Sequence, residues 1–387
     1  MNNYFPYHMH TDVSLLDSCT NFKLYIERAK ELDQKAICFT EHSNIYNWVD
    51  KKMHCDEAGL KYVHGVEIYL TETLDEKVRD NYHTILIARN FEGVKEINSL
   101  IDLSTQENHF YYKNRITFDE FLNISDNIIS TSACLASPLN KLPEENFYFD
   151  MLLQKYDYYE VQAHISDDQK EFNLKLLEWS RKFNKKLIAG TDTHSLNTYK
   201  AECRLILQKS KKIEYTNEDQ FDLTYKSYDE LVEMFRLQNC LPEEVFLQAI
   251  ENTNALADSI EELTLDTSFK YPKLYDNEDE VFIDRIFNNY QDKLLDGIIT
   301  EDQIFLDNID EECRVLKKVG MTGFILFMSE LMTWCRENNI PFGHCRGSVG
   351  GSTIAYILDI IDLNPVVWNT VFSRFANEDR VEIGDWN

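Results

Sequence analysis

Short apolar stretches typical of buried strands alternate with amphipathic stretches typical of helices through the first half of this chain. Residues 36–40 are one such strand-like stretch, and Phe172, Leu176, Trp179 and Phe183 recur on one side of a helix. Seven strand-like stretches end by residue 190, and they cover residues 7–10, 36–40, 62–66, 83–88, 127–132, 158–162 and 186–190. This alternation predicts an α/β fold with a parallel sheet, and a closed barrel of that kind carries its chemistry at the carboxyl ends of its strands.

Side chains that can bind metal ions stand at the ends of these stretches. His8 and His10 point to the same side of an extended segment, and Asp17 can approach from the following turn. Ligand-type residues also follow or open the later stretches, namely His42, Glu67, His83, Cys134, His164, Asp192 and His194. Nine of the ten histidines lie in the first 194 residues, which is more than core packing requires. This mixture of nitrogen, oxygen and sulfur ligands favours zinc, manganese or iron over magnesium or calcium.

Composition limits the classes of protein to which this chain can belong. Its formal net charge of -28 would repel nucleic acid at long range, so bound cations or a basic partner must supply the attraction locally. Nine cysteines without regular spacing, the lack of an apolar run of about eighteen residues and the lack of a leader-like N-terminus predict a cytoplasmic protein with no membrane association. The length of 387 residues favours two domains, and an extended stretch around Pro272 separates residues 1–270 from residues 271–387.

Six short segments around the ligand-type residues resemble the motifs of the polymerase and histidinol phosphatase (PHP) family, a seven-stranded β/α barrel that holds up to three metal ions. The segments are residues 8–10, 14–17, 40–42, 65–67, 132–135 and 191–194. The resemblance implies nine metal ligands, which are His8, His10, Asp17, His42, Glu67, His83, Cys134, Asp192 and His194. It also implies that His10, Asp17 and Asp192 act in the hydrolysis of a phosphoester.

One residue near these motifs departs from the family pattern, and another ligand-type residue lies outside the implied set. Glu41 stands where the family often has aspartate, which affects a contact next to the ligands but none of the ligands. His164 lies outside the implied ligand set, and a single histidine on an apolar strand is usually a buried core residue. We therefore expect His164 to lie in the core.

A second candidate site lies in residues 343–352, a segment rich in glycine and serine that precedes an apolar helix. Small residues would let backbone N–H groups approach phosphate oxygens, and Arg346 could bind them through two hydrogen bonds, although tight helix packing would explain the same composition. The surrounding motifs resemble the palm entrance of bacterial DNA polymerase III alpha subunits, where an Arg-Gly-Ser loop contacts the triphosphate of the incoming nucleotide. The resemblance implies that the nucleotide is bound by Arg346, Gly347, Ser348, Gly351 and Ser352.

Together the two resemblances predict a PHP-type β/α barrel followed by a partial α/β polymerase palm. In the polymerase family a strand with three catalytic acids follows, whereas this sequence ends at Asp385, Trp386 and Asn387. The expected function is DNA replication as the N-terminal portion of a polymerase III alpha-like protein, with a 3′–5′ exonuclease or related phosphoesterase centre of three transition-metal ions. The expected partners are a DNA primer 3′ end, a deoxynucleotide at the palm loop and a second polypeptide, with Mg²⁺ if that polypeptide restores polymerisation.

Two alternatives remain at this point. A free-standing PHP phosphatase acting on a small phosphomonoester would have no use for the palm-like segment. A structural half of a split polymerase would have no use for a complete ligand set. Because the strand with the catalytic acids lies inside the palm sheet in the polymerase family, we also expect a sequence that ends at Asn387 to leave apolar side chains only partly covered, around Ile354, Ile357, Ile361, Val367 and Phe372.

Overall fold

The computed structural model describes residues 3–75, 77–213, 221–266, 268 and 270–378. Contacts divide the chain into one unit from Met1–Thr264 and a second from Leu265–Asn387. This division lies close to residues 270 and 271, where the sequence predicts the domain boundary. Each unit has its own buried apolar cluster, so each is described by itself.

A seven-stranded sheet forms the centre of the first unit. Its strands are β1 (Ala36–Phe39), β2 (Lys61–Thr71), β3 (Tyr82–Ala88), β4 (Arg115–Thr117), β5 (Ile128–Thr131), β6 (Tyr158–Gln162) and β7 (Lys186–Gly190). The order across the sheet is β1-β2-β3-β5-β6-β7, and β4 pairs with β2.

The direction of β3 differs from the prediction, because β3 runs antiparallel to both β2 and β5 while the other strand pairs are parallel. Residues 72–81 connect β2 to β3, and this connection is too short for the crossover helix that two parallel strands need. The prediction of a wholly parallel sheet is therefore wrong at this strand. The reversal brings the first residues of β3, rather than the last, to the edge where the other strands end.

The opening segment of the chain links the first strand to the last one. Thr40 N–H, just after β1, donates to the carbonyl of Met9 at 2.8 Å, and His10 N–H donates to the carbonyl of Thr193 at 2.8 Å, just after β7. The sequence predicts a strand over residues 7–10, and Met9 alone among them forms a bridge to the sheet. Hydrogen bonds on both sides of this segment curl the sheet towards a closed barrel, as expected of the PHP fold.

Ten helices accompany the sheet within the described part of the first unit. They are α1 (Phe22–Glu31), α2 (Trp48–Ala58), α3 (Phe91–Ser104), α4 (Phe118–Leu122), α5 (Pro138–Lys141), α6 (Phe149–Lys155), α7 (Asp167–Phe183), α8 (Thr198–Lys211), α9 (Tyr228–Gln238) and α10 (Glu243–Ser259). In α7 the Ser166 side chain accepts from the N–H of Gln169, and Phe172, Leu176 and Trp179 are buried as their spacing predicts. None of the helices in the described residues is both long and apolar enough to cross a membrane.

The described part of the second unit is helical. It contains α11 (Glu278–Leu295), α12 (Gln303–Lys318), α13 (Thr322–Glu337), α14 (Thr353–Ile357) and α15 (Pro365–Trp368), with short 3-10 turns at Gly347–Gly351 and Phe372–Arg374. The palm sheet that the resemblance implies has no strand between residues 270 and 378. The end of the sequence, where the catalytic acids of the polymerase family would follow, lies outside the described residues.

The core of the second unit overturns one expectation about its apolar residues. Ile354, Ile357 and Ile361 are 0%, 0% and 3% exposed, because α14 packs against α11 and α12. Phe372 is partly buried, and Val367 is 73% exposed. The expectation that all five side chains would be only partly covered is therefore wrong for the three isoleucines.

Candidate metal centre

All nine predicted metal ligands lie together at one edge of the sheet in the first unit. They border or underlie a pocket of about 1100 Å³. His8 and His10 are fully buried below its floor. The other seven form part of its wall, and they are Asp17, His42, Glu67, His83, Cys134, Asp192 and His194.

Glu67 lies at the centre of this cluster and is fully buried. One carboxylate oxygen, Oε1, lies 2.7 Å from Nδ1 of His42 and 2.8 Å from Nδ1 of His83. The other, Oε2, lies 2.9 Å from Nε2 of His8. Because β3 is antiparallel to β2, His83 at the start of β3 pairs with Tyr69 and reaches the same group of ligands as Glu67.

Asp192 joins a second set of histidines. Its Oδ1 lies 3.1 Å from Nε2 of His8, 3.3 Å from Nε2 of His10 and 3.6 Å from Nδ1 of His194. Three groups of donor atoms fall within 4.8 Å of one another, and they are His10 with His42 and His194, His8 with His10, Glu67 and Asp192, and His42 with Glu67 and His83. Groups of this size and composition fit divalent metal ions.

Asp17 and Cys134 lie beside these three groups. Asp17 Oδ2 is 2.8 Å from Nε2 of His42 and 3.2 Å from Nε2 of His194. Sγ of Cys134 is 3.5 Å from Nδ1 of His83. The structure thus brings all nine predicted ligands into one continuous cluster.

The turns that carry these ligands contain non-glycine residues in the left-handed region of backbone conformation. Leu16 precedes Asp17 with φ 68°, Ala133 precedes Cys134 with φ 56°, and Asp192 itself has φ 45°. A left-handed conformation costs roughly 1–2 kcal/mol for a residue other than glycine. Such strain persists where the surrounding structure enforces it, and it is concentrated at functional sites.

The carboxylates and imidazoles shift one another's pKa values. Burial lowers the pKa of His42, but the carboxylates of Glu67 and Asp17 outweigh this effect and raise that pKa to about 10. Burial raises the pKa of Asp192, but His8 and His194 outweigh it and hold that pKa well below its usual range. The carboxylates are therefore ionised and suited to bind cations.

One buried atom supports the fit of the cluster to a cation. Nε2 of His10 is buried and makes no hydrogen bond with any described residue, although Asp192 Oδ1 lies 3.3 Å away. An unsatisfied buried polar atom costs about 1–3 kcal/mol. A metal ion beside this nitrogen would give it a partner and would balance the surrounding carboxylates. The residues present therefore fit the metal ions that the PHP resemblance implies.

Two supporting residues were not identified from the sequence. Glu160 on β6 is fully buried, and its Oε1 lies 2.6 Å from Nδ1 of His8. Arg204 on α8 hydrogen bonds both the carbonyl and the carboxylate of Asp17. An acidic residue inside an apolar strand was an available signal for Glu160, whereas nothing in the spacing indicated Arg204.

Glu41 and His164, the two residues near the motifs that are not among the implied ligands, have clear environments. Glu41 accepts hydrogen bonds from Thr11 N–H at 2.9 Å and from Ser14 Oγ and Lys51 Nζ at 2.6 Å each. Glu41 therefore stabilises the turn that follows His10. His164 is buried against the ring of Phe221, with ring centroids 4.5 Å apart, and burial lowers its pKa to about 4. His164 is buried, as the sequence predicts, although neither of its ring nitrogens has a hydrogen-bond partner among the described residues.

In the second unit, the predicted nucleotide-binding residues fall into two groups. Arg346, Gly347 and Ser348 are exposed. Ser352 donates to Glu312 at 2.7 Å, and a side chain at Gly351 would come within 2.4 Å of the carbonyl of Val371. Gly351 and Ser352 thus serve packing and capping, and the nucleotide-binding prediction is left with the three exposed residues.

Glu312 on α12 occupies the N-terminus of α14. Its carboxylate accepts from Thr353 N–H at 2.7 Å and from Ile354 N–H at 3.0 Å, in addition to Ser352. These are the N–H groups that a phosphate would need. The anion at this helix end is therefore a side chain of the chain itself.

Glu312 should make the stability of the second unit depend on pH. Burial raises its pKa to about 7, above the usual value of 4.5. The folded state therefore holds this proton more tightly than the unfolded state, so its stabilising effect is present below about pH 4.5 and is lost as the pH rises through 7. We expect the melting temperature of the second unit to fall between pH 5 and pH 8 by more than it does in Glu312→Gln. Parallel pH slopes for the two proteins in calorimetry would contradict this.

Comparison with known proteins identifies the families to which these two units are similar. Residues 6–185 match the PHP domain family, and residues 283–387 match the bacterial DNA polymerase III alpha NTPase domain family. DNA polymerase III subunit alpha of Borreliella burgdorferi is 29% identical over 406 residues, covering 98% of this chain and 34% of that protein. The subunit of Aquifex aeolicus is 28% identical over 411 residues, covering 98% and 35%. The chain thus spans about a third of the length of the curated relatives it matches.

Solved structures give weaker matches. The lesion-specific endonuclease EndoQ of Pyrococcus furiosus has a TM-score of 0.35 and 16% identity, covering 52% of this chain and 50% of that one. A two-domain Bacteroides vulgatus protein with a PHP-like metal-dependent phosphoesterase has a TM-score of 0.33 and 14% identity, covering 50% and 52%. These TM-scores are too low to bear on function. By sequence, residues 6–185 are thus similar to PHP domains and residues 283–387 to a polymerase III alpha domain, and the chain as a whole is similar to the bacterial DNA polymerase III alpha subunits.

Proposed function

We propose that the first unit is a metal-dependent phosphoesterase that removes nucleotides from DNA 3′ ends, within the N-terminal part of a polymerase III alpha-like replication protein. The observation that carries this proposal is the meeting of nine ligand-type side chains at one pocket of about 1100 Å³. The similarity to DNA polymerase III alpha subunits supports DNA as the substrate. A cytoplasmic location fits this role and stays a prediction.

The proposed cofactors are three divalent transition-metal ions, zinc, manganese or iron, held by the nine ligands. When bound, such ions polarise the phosphorus–oxygen bonds of a phosphodiester and make a nucleophile available from water near neutral pH. Three overlapping donor groups support the number of ions proposed. His10, Asp17 and Asp192 are the proposed catalytic residues, because they lie in or beside these groups and next to the pocket.

Other residues of the chain would fix the orientation of the metal ligands. Glu160 holds Nδ1 of His8, so that Nε2 of the same ring faces the centre. Arg204 holds Oδ1 of Asp17, so that Oδ2 faces His42 and His194. Fixing ligand orientation in this way raises metal affinity and removes reorganisation from the reaction.

For the second unit we propose a deoxynucleotide contact at Arg346, Gly347 and Ser348, which are exposed and follow the family order. Gly347 adopts φ 70°, a conformation that suits glycine. Polymerisation would also need carboxylates that hold Mg²⁺. Arg346→Ala should weaken binding of a deoxynucleoside triphosphate if this contact exists.

A nuclease assay tests the main proposal directly. Purified protein with added Mn²⁺ or Zn²⁺ should shorten a primer labelled at its 5′ end, one nucleotide at a time from the 3′ end. Hydrolysis of p-nitrophenyl phosphate without any action on the primer would favour a small-molecule phosphatase instead. Activity on neither substrate, in protein that holds its metals, would favour a structural role.

The number of bound metal ions can be measured independently of activity. We expect the purified protein to hold more than one equivalent of transition metal and up to three, because nine ligands exceed the four that a single structural zinc uses. Mass spectrometry of the metals after extensive dialysis measures this number. A value of one or less would contradict a multinuclear centre.

A further inference from the structure

A strained aromatic turn forms part of the pocket wall beside the metal centre. Tyr111 N–H donates to the carbonyl of Lys113 at 3.2 Å, which leaves Tyr112 at the tip of the turn. Tyr112 has φ 61° and its side chain is 61% exposed. Phe110, 53% exposed, also lines the pocket. An exposed ring at a strained position, with a second exposed ring near it in the same pocket wall, indicates a binding function.

Cationic side chains hold this turn and connect it to the metal centre. The guanidinium of Arg79 lies 4.0 Å from the centroid of the Tyr112 ring, which orients the ring from one side. Nζ of Lys113 lies 5.5 Å from the ring of Tyr69, and that ring lies 4.9 Å from the ring of His83. Lys113 therefore carries a positive charge close to the ligands.

The charges around the pocket restrict where a phosphate group can lie. Asp167 and Asp168 also line the pocket, so phosphate is repelled from their side. Lys113 and Lys141 are the lysines of its lining, and neither makes an ion pair with a described residue. In a chain with a net charge of -28, these lysines and the proposed metal ions are the local attraction for a polyanion.

We propose that Tyr112 and Phe110 stack on unpaired bases of a single-stranded nucleic acid, while Lys113 holds its phosphate beside the metal centre. This inference rests on the proposed function and names the form of substrate that the site takes. Every base offers a flat face, so stacking on aromatic rings binds single strands of any sequence, and each stacked base contributes about 1–3 kcal/mol. The pocket of about 1100 Å³ is also at the upper limit of small-molecule sites, which are roughly 300–1,000 Å³.

The test compares matched strands and matched variants of the full chain. A fluorescent DNA hexamer is compared with a second hexamer that has the same sugar–phosphate backbone but is abasic at the last two positions of its 3′ end. Binding is measured by fluorescence anisotropy, and cleavage is measured separately. Tyr112→Ala removes the ring, Tyr112→Phe keeps it, and Tyr199→Ala removes a ring that is 69% exposed but lies outside the pocket lining.

We expect Tyr112→Ala to raise the Kd for the complete hexamer about tenfold, because a loss of 1.4 kcal/mol corresponds to that factor. The Kd for the hexamer lacking two bases should change less than twofold. Tyr112→Phe and Tyr199→Ala should both bind like the unchanged protein. Equal losses on the two hexamers would overturn the inference, because the turn would then act without contacting a base.

Measuring binding separately from cleavage distinguishes this inference from the proposed function. Base-dependent binding that needs Tyr112, without cleavage, would support stacking and reject the exonuclease. Cleavage that is unaffected by Tyr112→Ala, with unchanged binding, would support the exonuclease and reject stacking. The same comparison with an RNA hexamer shows which sugar is preferred, and weaker binding of RNA would support DNA as the natural strand.

Discussion

Replacing Asp192 with alanine should abolish hydrolysis at the 3′ end of a DNA primer, with a rate loss of about 1000-fold or more. Oδ1 of Asp192 lies within 3.6 Å of nitrogens of His8, His10 and His194, so this one carboxylate is close to three of the proposed ligands. Losing several kcal/mol of charge stabilisation in the transition state corresponds to a rate loss of this size. His10→Ala should have a similar effect, because His10 belongs to two of the three donor groups.

Asp258→Ala is the matched control for this experiment. Asp258 on α10 has an exposed carboxylate, lies outside the pocket lining and is not among the nine proposed ligands. Its removal should leave the rate within about threefold of the original, because an exposed substitution of this kind changes the free energy of unfolding by no more than about 0.5 kcal/mol and leaves the pocket unchanged. Circular dichroism should show the same fold in all three variants, because the strands are held by apolar packing below the ligands. Cleavage by Asp192→Ala within tenfold of the unchanged protein would place the hydrolytic centre elsewhere.

Glu160→Gln should weaken metal binding by about 10- to 100-fold, which is the usual effect of removing a carboxylate that orients a histidine ligand. Glu160 touches no proposed metal position itself, and it acts through the ring of His8. Its carboxylate also accepts from the hydroxyl of Tyr7 at 2.7 Å and from that of Thr131 at 3.1 Å. Glutamine keeps the size of the side chain but loses the charge that favours His8 as a ligand.

A metal titration against a chromogenic chelator measures this effect without any substrate. Glu312→Gln is the control, since it changes another buried glutamate in the second unit. Glu160→Asp should recover part of the affinity because the charge returns. Metal affinity unchanged within twofold in Glu160→Gln, with an unchanged fold, would show that Glu160 does not position His8.

The residue types at strand ends were enough to predict which side chains meet, but not how the sheet brings them together. Glu67 and His83 lie on two consecutive strands, β2 and β3, whose apolar patterns look alike in sequence. The direction of β3 depends on the length of the connection at residues 72–81, and the apolar pattern of a strand contains no information on direction. The predicted ligands still lie together because His83 opens its strand.

Residues that support the ligands were harder to predict, because their partners are distant in sequence. Arg204 and Asp17 are joined through the docking of α8, which no local pattern indicates. Glu312 and Ser352 show the same difficulty. The sequence alone leaves the N-terminus of α14 open to a phosphate, whereas in the structure Glu312 from α12 accepts the hydrogen bonds there. Local sequence thus predicted many of the helices and strands and pointed to the side chains that meet, while tertiary packing decided which polar groups remain available.

The reversed strand β3 also sets the order in which the centre can assemble as the chain folds. Since β2 and β3 form a hairpin, Glu67 and His83 belong to one local unit that can form in about 1–10 μs. Asp192 and His194 must wait for the last strand to dock, because distant contacts form more slowly than local ones. A metal ion present during synthesis would therefore meet Glu67 and His83 first, and the ions available at that moment would influence which metal the finished centre retains.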